Sequence, residues 1–274
     1  MTADEVFIHP TAVVAPQAQL DSGVYIGPHC VVGPEVKVGK RTKLEANVYL
    51  GGWTTIGEEC VFSPYSSVGT EPQDLTYKGE RTLVKIGKRN IFREFITINR
   101  GTPKGGGITS IGDDNYFMAY SHIAHDCQVG NHTVFINGAT LAGHVEVDDF
   151  ATVGAFSAIH QFCRVGKYAF IGGYSVITQD VCPFLRVAGS RPTWLYGVNA
   201  IGLRRQGFSR ERINLIKKMI KLLFYSELNT SQAVEKITQE VEPTPDREEI
   251  LVFIQNSTRG LVKKVAEPWM KNWE

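Results

Sequence analysis

This sequence of 274 residues lacks the features of a membrane, secreted or nucleic-acid-binding protein. No apolar run approaches the ~20 residues that a membrane-spanning helix needs. The opening Met1-Thr2-Ala3-Asp4-Glu5 is acidic and precedes no apolar stretch, so it is unlike a signal peptide. The net charge of +1 gives no overall attraction to nucleic acid. We therefore expect a cytoplasmic protein with no membrane span and no nucleic-acid partner.

Cysteine is scarce, and the five residues are spaced neither as a disulfide framework nor as a cysteine metal site. Four of them, Cys30, Cys60, Cys127 and Cys163, share one position of a six-residue repeat. That position is predicted to point into the core, where free cysteine packs as a small apolar side chain. Cys127 and Cys163 would lie two turns apart, ~10 Å, which is too far for a disulfide. No metal or other cofactor is expected.

A six-residue repeat occupies the first two thirds of the chain, with one gap after Val68 and a one-residue shift after Ile98. Gly often follows the apolar position, and the residue four positions after it is usually small or β-branched. One short strand plus one corner fits six residues, so the repeat indicates a parallel β-helix. The repeated apolar positions are Ile8, Val14, Leu20, Ile26, Val32, Val38, Leu44, Leu50, Ile56, Phe62, Val68, Ile86, Phe92, Ile98, Ile111, Phe117, Ile123, Val129, Phe135, Leu141, Val147, Val153, Ile159, Val165, Ile171 and Ile177.

Three such repeats, eighteen residues, would close one triangular turn that pairs with the next turn at ~4.8 Å. After Ile177 the repeat ends, and apolar residues follow helical spacing after Ser209, from Thr230 or Ser231, and after Asp246. We therefore predict an all-β chain with a small α domain. The β-helix would cover residues 1–190 and the C-terminal helical domain residues 191–274.

Two interruptions, near residues 70–85 and 101–110, are predicted to be loops that leave the corners of the prism. The first contains Glu71-Pro72-Gln73-Asp74 and is expected to add one turn's worth of sequence. The second contains three consecutive glycines and shifts the repeat. Solenoid loops are either tolerated insertions or parts of a binding site, and spacing alone favours neither interpretation.

Histidines cluster in the second half of the repeat. His125 and Gly143 are eighteen residues apart, so they should occupy equivalent points on adjacent turns. The neighbouring points carry further polar residues, which predicts a ladder along one edge of the prism. Its members are His125, Gly143, His144, His160 and Gln161, and His122 lies one strand-end away.

This edge has the parts of an acyl-transfer site. His125 could act as a general base toward a hydroxyl, and Asp126 could orient its ring. The backbone N–H of Gly143 could donate to a developing oxyanion. Because the chain has no strong serine or cysteine nucleophile pattern, direct attack by an acceptor hydroxyl is favoured. A zinc site on stacked histidines, as in hexapeptide carbonic anhydrases, and a non-catalytic scaffold remain open.

Longer motifs resemble one enzyme family, the acyl-(acyl-carrier-protein)–UDP-N-acetylglucosamine O-acyltransferases of lipid A synthesis. The resemblance covers almost the whole chain to about Val262 and implies a left-handed β-helix and a homotrimer with sites between subunits. The motifs are Pro72-Gln73-Asp74-Leu75, Thr97-Ile98-Asn99-Arg100-Gly101, His122-Ile123-Ala124-His125-Asp126-Cys127, Asn137-Gly138-Ala139-Thr140-Leu141-Ala142-Gly143-His144-Val145, His160-Gln161-Phe162-Cys163, Gly202-Leu203-Arg204-Arg205 and Ser257-Thr258-Arg259-Gly260.

The resemblance also implies roles for individual residues. His125 would deprotonate the glucosamine 3-hydroxyl, Asp126 would orient His125, and the Gly143 amide would bind the oxyanion. His122 matches a residue near the reacting groups, and Asn199 and Arg205 match the nucleotide side. The residues that match sugar contacts are Gln73, Asp74, His144, His160 and Gln161.

The implied donor is a (3R)-3-hydroxyacyl thioester of acyl carrier protein, which is strongly acidic. Residues 164–221 contain eleven Lys or Arg against Asp180 and Glu211, a local charge of +9 that would suit this partner. The acceptor would be UDP-N-acetylglucosamine. A related enzyme acts two steps later as an N-acyltransferase but typically has an extra N-terminal domain, whereas this repeat begins at Ile8.

Some positions depart from the family pattern. Ile201 stands where the family often has Glu, and Thr76 where it often has Lys, with Lys78 nearby. Arg191 replaces the histidine of the acyl-chain ruler, while Gly173 matches the ruler itself. Some members acylate a 3-amino group, and the sequence does not distinguish that acceptor. The tail from Lys263 lies outside the resemblance.

Gly173 predicts a preference for long acyl chains. It lies forty-eight residues after His125, ~13 Å along the axis, and a residue without a side chain would leave the acyl groove open there. We expect a fourteen-carbon 3-hydroxyacyl carrier protein to be used faster than a ten-carbon one in a direct rate comparison. Faster transfer from the ten-carbon donor would contradict the open groove.

Overall fold

The structure is a computed structural model that describes residues 5–266, a triangular parallel β-helix followed by helices. The strands are β1 (Phe7–Ile8), β2 (Val13–Val14), β3 (Gln19–Leu20), β4 (Tyr25–Ile26), β5 (Val31–Val32), β6 (Lys37–Val38), β7 (Lys43–Leu44), β8 (Tyr49–Leu50), β9 (Trp53–Ile56), β10 (Val61–Phe62), β11 (Ser67–Thr70), β12 (Leu83–Ile86), β13 (Ile91–Phe92), β14 (Thr97–Asn99), β15 (Ile108–Ile111), β16 (Tyr116–Phe117), β17 (His122–Ile123), β18 (Gln128–Val129), β19 (Val134–Phe135), β20 (Thr140–Leu141), β21 (Glu146–Val147), β22 (Thr152–Val153), β23 (Ala158–Ile159), β24 (Arg164–Val165), β25 (Phe170–Ile171), β26 (Val176–Ile177), β27 (Leu185–Ala188) and β28 (Trp194–Val198).

The strands form three faces. Sheet A runs β1-β4-β7-β10-β13-β16-β19-β22-β25-β27-β28, sheet B runs β2-β5-β8-β11-β14-β17-β20-β23-β26, and sheet C runs β3-β6-β9-β12-β15-β18-β21-β24. Neighbouring strands pair in parallel, and β28 alone pairs antiparallel, with β27, among the described strands. In the regular part each residue lies over the residue eighteen positions later, as His122 lies beside Thr140. The predicted parallel β-helix is confirmed.

The repeated apolar residues fill the prism because each short strand points one side chain inward and the next outward. Large rings form a continuous stack inside sheet A: Phe62, Phe92, Phe117 and Phe135 are fully buried, with ring centroids 4.6 to 4.9 Å apart. The four cysteines of the repeat are buried as expected, and Cys182 is buried as well. The core is therefore one column that runs along the axis.

Corners are tight, and many non-glycine residues there adopt positive φ, including Asp126 and His144, both at 62°. Asp, Asn and His tolerate this left-handed conformation better than most residues. At the corner between sheets A and B an exposed column of aromatic rings results. It has two stacked parts, Tyr65, Phe95 and Tyr120 and then Phe156 and Tyr174, with Gly138 on the turn between them.

Both predicted loops exist, and both leave the corner between sheets B and C. Ser67 pairs with Thr97, thirty residues on, so the first loop adds twelve residues (30 − 18) and not a full turn. The six-residue spacing of the apolar positions continues unchanged after this loop, because twelve residues are two repeats. Thr97 pairs with His122, twenty-five residues on, so the second loop adds seven.

The C-terminal helices are α1 (Ala200–Arg205), α2 (Arg210–Phe224), α3 (Thr230–Glu240) and α4 (Pro245–Gln255). Ser209 caps α2 as predicted, but α4 ends five residues before Gly260, and α1 was missed because it is short. The predicted boundary at residue 190 stays a prediction, since β28 still belongs to sheet A. In the tail that begins at Lys263, Val265 forms an isolated parallel β-bridge with Leu195, and residues 267–274 lie outside the described range. No described helix combines the length and apolarity needed to cross a bilayer.

Replacing Phe92 by Ala should destabilise the fold strongly, because the ring is fully buried between Phe62 and Phe117. We expect a loss of about 3–5 kcal/mol in the free energy of unfolding, measured by chemical denaturation at fixed protein concentration. Val252→Ala, at a position 51% exposed on α4, is the control and should change it by less than about 0.5 kcal/mol. Equal effects would contradict a ring stack that stabilises the core.

Candidate active site

The candidate site lies at the corner between sheets B and C, where β17 ends and β18 begins. His125 and Asp126 occupy this corner, and His125 Nδ1 is 2.8 Å from Asp126 Oδ2. The Asp126 side chain is completely buried, while 17% of the His125 side chain is exposed. A buried carboxylate thus holds one ring nitrogen, and the other ring nitrogen is left for a reacting group.

The glycine-rich loop wraps the Asp126 carboxylate. Thr102 donates its backbone N–H to Oδ1 at 2.8 Å and its hydroxyl to Oδ2 at 2.6 Å. The backbone N–H of Asp126 donates to Thr109 Oγ1 at 2.8 Å. A Cβ on Gly105 would lie 2.1 Å from Asp126 Cγ, so only glycine lets the loop approach so closely. The loop is therefore part of the site and not a tolerated insertion.

Gly143 lies directly above His125 on the next turn. A Cβ on Gly143 would be 2.5 Å from His125 Cε1, and the adjacent His144 N–H donates to the His125 carbonyl at 3.0 Å. No hydrogen bond between described residues uses the Gly143 N–H. The predicted stacking of these two positions is therefore what the structure has.

His144 continues the edge. Its Nε2 is 3.6 Å from Asp126 Oδ2, and its ring stacks on Phe162 with centroids 4.5 Å apart. Burial lowers the pKa of His144, the nearby Asp126 carboxylate raises it, and His125 lowers it further, with a net shift downward. Burial therefore favours the neutral imidazole here.

His122 lies on β17 and is mostly covered. Its Nδ1 is 2.7 Å from Thr97 Oγ1 on the turn below. Burial is the larger cause that lowers the pKa of His122, and the proximity of His125 is the smaller one. A neutral His122 can therefore offer either a donor or an acceptor beside His125.

The first loop brings Asp74 toward the same edge. Hydrogen bonds from Thr76, first from its N–H and then from its hydroxyl, lower the pKa of Asp74, and the charges of Lys104 and His125 add to this. Gln73 is exposed beside it. Lys104 Nζ donates to Thr76 Oγ1 at 3.1 Å. Lys104 thus places a cation next to Thr76, the position where the family often has Lys. The sequence had suggested Lys78 for this place and did not indicate Lys104.

Buried residues anchor this first loop to the β-helix. Arg100 donates to the Gly69 carbonyl at 2.8 Å and to the Tyr77 hydroxyl at 2.9 Å. Asn99 donates to the Glu71 carbonyl at 2.8 Å. These contacts explain the Thr97-to-Gly101 motif, since it fixes the position of the loop that carries Gln73 and Asp74.

His160 and Gln161 lie one turn above Gly143 and are exposed. His160 Nδ1 is 3.3 Å from Arg259 Nη2, which reaches over from the segment after α4. Asp180, at the same corner, accepts from the Ser257 hydroxyl at 2.6 Å. The Ser257-to-Gly260 motif therefore packs against the top of the histidine edge.

Four predicted residues lie away from His125 within one chain. Asn199 and Arg205 line a cavity of about 680 Å³ beside sheet A, the face opposite the histidine corner. Asn199 also caps α1, accepting from the Gly202 N–H at 3.2 Å. Gly173 lies exposed at the corner between sheets A and B, and the exposed Arg191 lies between β27 and β28. Gly173 is therefore not on the edge of His125, and within one chain the two residues do not share the expected groove.

The zinc alternative has some geometric support. Ligand atoms of His125, Asp126 and His144 lie within 4.8 Å of one another, the one such cluster of three in residues 5–266. However, Asp126 Oδ2 already accepts hydrogen bonds from Thr102 and lies against His125 Nδ1. A metal ion bound there would have to displace these partners, so the donor set fits an oriented base better than a metal site.

Known proteins of one family match this chain over nearly its whole length. A family profile described as UDP N-acetylglucosamine O-acyltransferase, domain 2, matches residues 180–262, and a bacterial transferase hexapeptide profile of six repeats matches residues 108–143. A Thermodesulfovibrio yellowstonii protein named acyl-(acyl-carrier-protein)–UDP-N-acetylglucosamine O-acyltransferase is 48% identical over 93% of this chain and 99% of its own. The protein of the same name from Alkalilimnicola ehrlichii is 46% identical over 93% and 99%.

Solved structures give the same result. The UDP-N-acetylglucosamine acyltransferase of Francisella novicida has a TM-score of 0.91 and 39% identity, covering 93% of this chain and 94% of that one. The enzyme of that name from Campylobacter jejuni has a TM-score of 0.89 and 37% identity, covering 94% and 99%. The expected left-handed winding is confirmed by this agreement.

The pKa of His122 should lie below that of an ordinary histidine, and removing the His125 side chain should raise this pKa only in part. In His125→Ala, NMR of labelled histidine should show the pKa of His122 rising but remaining below 6.5, because burial, the larger cause of the lowered pKa, is retained. A return of the His122 pKa to 6.5 in this variant would mean that His125, and not burial, is the main cause of the lowered pKa. That result would contradict the prediction.

Proposed function

Because the chain belongs to the acyl-(acyl-carrier-protein)–UDP-N-acetylglucosamine O-acyltransferase family, we propose that His125 is the general base of its reaction. The enzyme transfers a 3-hydroxyacyl group from acyl carrier protein to UDP-N-acetylglucosamine, the first step of lipid A biosynthesis. The observation that carries the proposal is the 2.8 Å contact between His125 Nδ1 and the fully buried Asp126.

In this mechanism Asp126 accepts the Nδ1 proton of His125 in a hydrogen bond, which leaves Nε2 unprotonated. Nε2 removes the proton of the glucosamine 3-hydroxyl as its oxygen attacks the thioester carbonyl. The tetrahedral oxyanion accepts a hydrogen bond from the Gly143 N–H, which has no partner among the described residues. The carbon–sulfur bond then breaks, and His125 returns the proton to the carrier's sulfur.

The sugar would bind along the histidine edge between the first loop and the top of the β-helix. Neutral His122 beside His125 offers a hydrogen bond near the reacting groups, and His144 lies within 3.6 Å of Asp126. The loop anchored by Arg100 presents acceptors at the lower end. The proposed sugar-side residues are Gln73, Asp74, His122, His144, His160 and Gln161.

A homotrimer is proposed because, in one chain, the histidine corner and the cavity with Asn199 and Arg205 lie on opposite sides of the prism. Sheet A and the first turns of sheet B present mainly apolar outward side chains, whereas sheet C presents polar ones such as Lys37, Lys85, Gln128 and Glu146. The middle turns of sheet B carry Ser67, Thr97, His122 and Thr140. Packing sheet B of one copy against sheet A of the next makes a head-to-tail contact that can close into a ring. The outward residues of sheet B include Val13, Val31 and Tyr49, and those of sheet A include Phe7, Tyr25, Val61, Ile91, Tyr116, Val134 and Phe170.

This arrangement would bring the cavity beside α1 to the histidine corner of a neighbouring copy. Asn199 and Arg205 would then contact the nucleotide, and Gly173 with Arg191 would limit the acyl groove. The exposed aromatic column at the corner between sheets A and B would face the trimer axis. Exposed rings of this extent are typical of surfaces that become buried in an assembly.

Acyl carrier protein would bind on the basic C-terminal side. Arg204 and Arg205 are both exposed on α1 at the rim of the cavity, and α2 carries further basic residues. An acidic partner is attracted to such a cluster over distances up to a Debye length. Association should therefore weaken with salt.

Other acceptors share the same site chemistry. A 3-amino sugar would attack the thioester carbonyl through its nitrogen, and the N-acyltransferase reaction would use the same base and donor. No contact of the described residues favours these alternatives over the 3-hydroxyl. A cytoplasmic location stays a prediction.

His125→Ala should remove most activity, by about 10²- to 10⁴-fold in kcat, because the general base is lost while the core is untouched. The assay supplies UDP-N-acetylglucosamine and 3-hydroxyacyl carrier protein, and gel filtration checks the assembly. His132→Ala is the matched control, since His132 is an exposed corner histidine on the other side of sheet C.

A wild-type rate in His125→Ala would exclude the general-base role. Loss of activity in both variants would point to a general structural effect and would equally count against it. Rates measured side by side with the 3-hydroxyl and the 3-amino acceptor would show which nucleophile the enzyme prefers.

A further inference from the structure

We infer that Thr102, in the glycine-rich loop, is a positioning residue for the reaction, and this inference rests on the proposed role of His125. Thr102 is 2% exposed and holds both oxygens of the Asp126 carboxylate. Its N–H donates to Oδ1 at 2.8 Å and its hydroxyl to Oδ2 at 2.6 Å. Sequence reasoning assigned this residue no role.

The two contacts fix the rotation of the carboxylate. Oδ2 is also the oxygen that lies 2.8 Å from His125 Nδ1, so any rotation of the carboxylate would move the partner of the catalytic ring. A single hydrogen bond would leave the carboxylate free to turn about its Cβ–Cγ bond. Two bonds to one rigid residue determine both its angle and its position.

The loop itself is shaped to make this clamp. Thr102 starts a short 3₁₀ turn, Pro103–Gly105, and its hydroxyl oxygen accepts from the Gly105 N–H at 3.2 Å. A Cβ on Gly101 would lie 2.8 Å from Asp126 Oδ1, and one on Gly105 would lie 2.4 Å from both oxygens. Glycines on both sides of Thr102 therefore let the loop backbone close over the carboxylate.

The clamp also satisfies the hydrogen-bonding capacity of the buried carboxylate. A completely buried carboxylate is costly unless donors satisfy its oxygens. Thr102 supplies two of these donors, and His125 supplies a third through Nδ1. Asp126 can then act on His125 without water competing for its oxygens.

Thr102→Val tests the inference, because it preserves shape and the backbone N–H but removes the hydroxyl donor. We expect kcat to fall about tenfold, the size of effect that follows from losing one hydrogen bond to a charged group. The KM for both substrates should stay within about twofold, because Thr102 acts through Asp126 and His125. Thr102→Ser retains the hydroxyl and should restore most of kcat.

Thr82→Val is the matched control. Thr82 is 1% exposed at the end of the first loop, and its hydroxyl has no hydrogen-bond partner among the described residues. Removing that hydroxyl should leave kcat unchanged. A similar loss of kcat in both variants would show that any buried threonine near the loops matters, which would overturn the inference.

A double-mutant cycle with Asp126→Ala separates positioning from loop damage. If Thr102 acts through Asp126, Thr102→Val should cause little further loss in the Asp126→Ala background. A loop that merely loses stability would lower the rate by the same factor in both backgrounds, and that additive result would refute the inference. The cycle answers the question even where Thr102→Val lowers the melting temperature.

Failure of this inference differs from failure of the proposed function. An inactive His125→Ala together with a fully active Thr102→Val rejects only the role of Thr102. An active His125→Ala rejects the general base, and the role of Thr102 falls with it. An impaired Thr102→Ser would also reject it, since the donor is still present.

Discussion

The parallel pairing of each strand with the strand one turn later, eighteen residues on except where a loop intervenes, is the constraint on which the rest of the structure depends. It places every residue over its counterpart on the next turn, so positions far apart in sequence become neighbours about 4.8 Å apart. Gly143 meets His125 for this reason alone, and Phe92 meets Phe62 and Phe117 through the same stacking. Because the core is one continuous column, the outside of the prism can carry functional residues at little cost in stability.

Two loops turn an edge of this regular prism into a site. Both leave the corner between sheets B and C, and they touch each other where Lys104 Nζ donates to Thr76 Oγ1 at 3.1 Å. One is anchored by Arg100 and carries Asp74, and the other closes over Asp126. The β-helix thus supplies rigid spacing and the loops supply burial, and acid–base chemistry needs both, because a base must be oriented and its partner shielded from water.

In the proposed trimer the site would be shared between copies, and the mainly apolar outward side chains of sheet A support such a contact. The histidine edge lies at one corner, whereas the cavity beside α1 lies on the opposite face, so the proposed substrate contacts at both places would come from two copies. An assembly of this kind would cover sheets A and B and leave sheet C in water, in agreement with the apolar outward side chains of sheet A and the polar ones of sheet C. The same contact would bring the acyl groove and the base together.

The sequence by itself determined the β-helix, the place of both loops and the adjacency of His125, Asp126 and Gly143, because a strict six-residue period fixes which residues share an edge. Longer motifs determined the family. Only the tertiary structure decided that the first loop adds twelve residues, that Lys104 supports Thr76, that Thr102 clamps Asp126 and that Gly173 lies at another corner than His125. These facts depend on how irregular backbone folds back onto the prism, and no period in the sequence encodes such contacts.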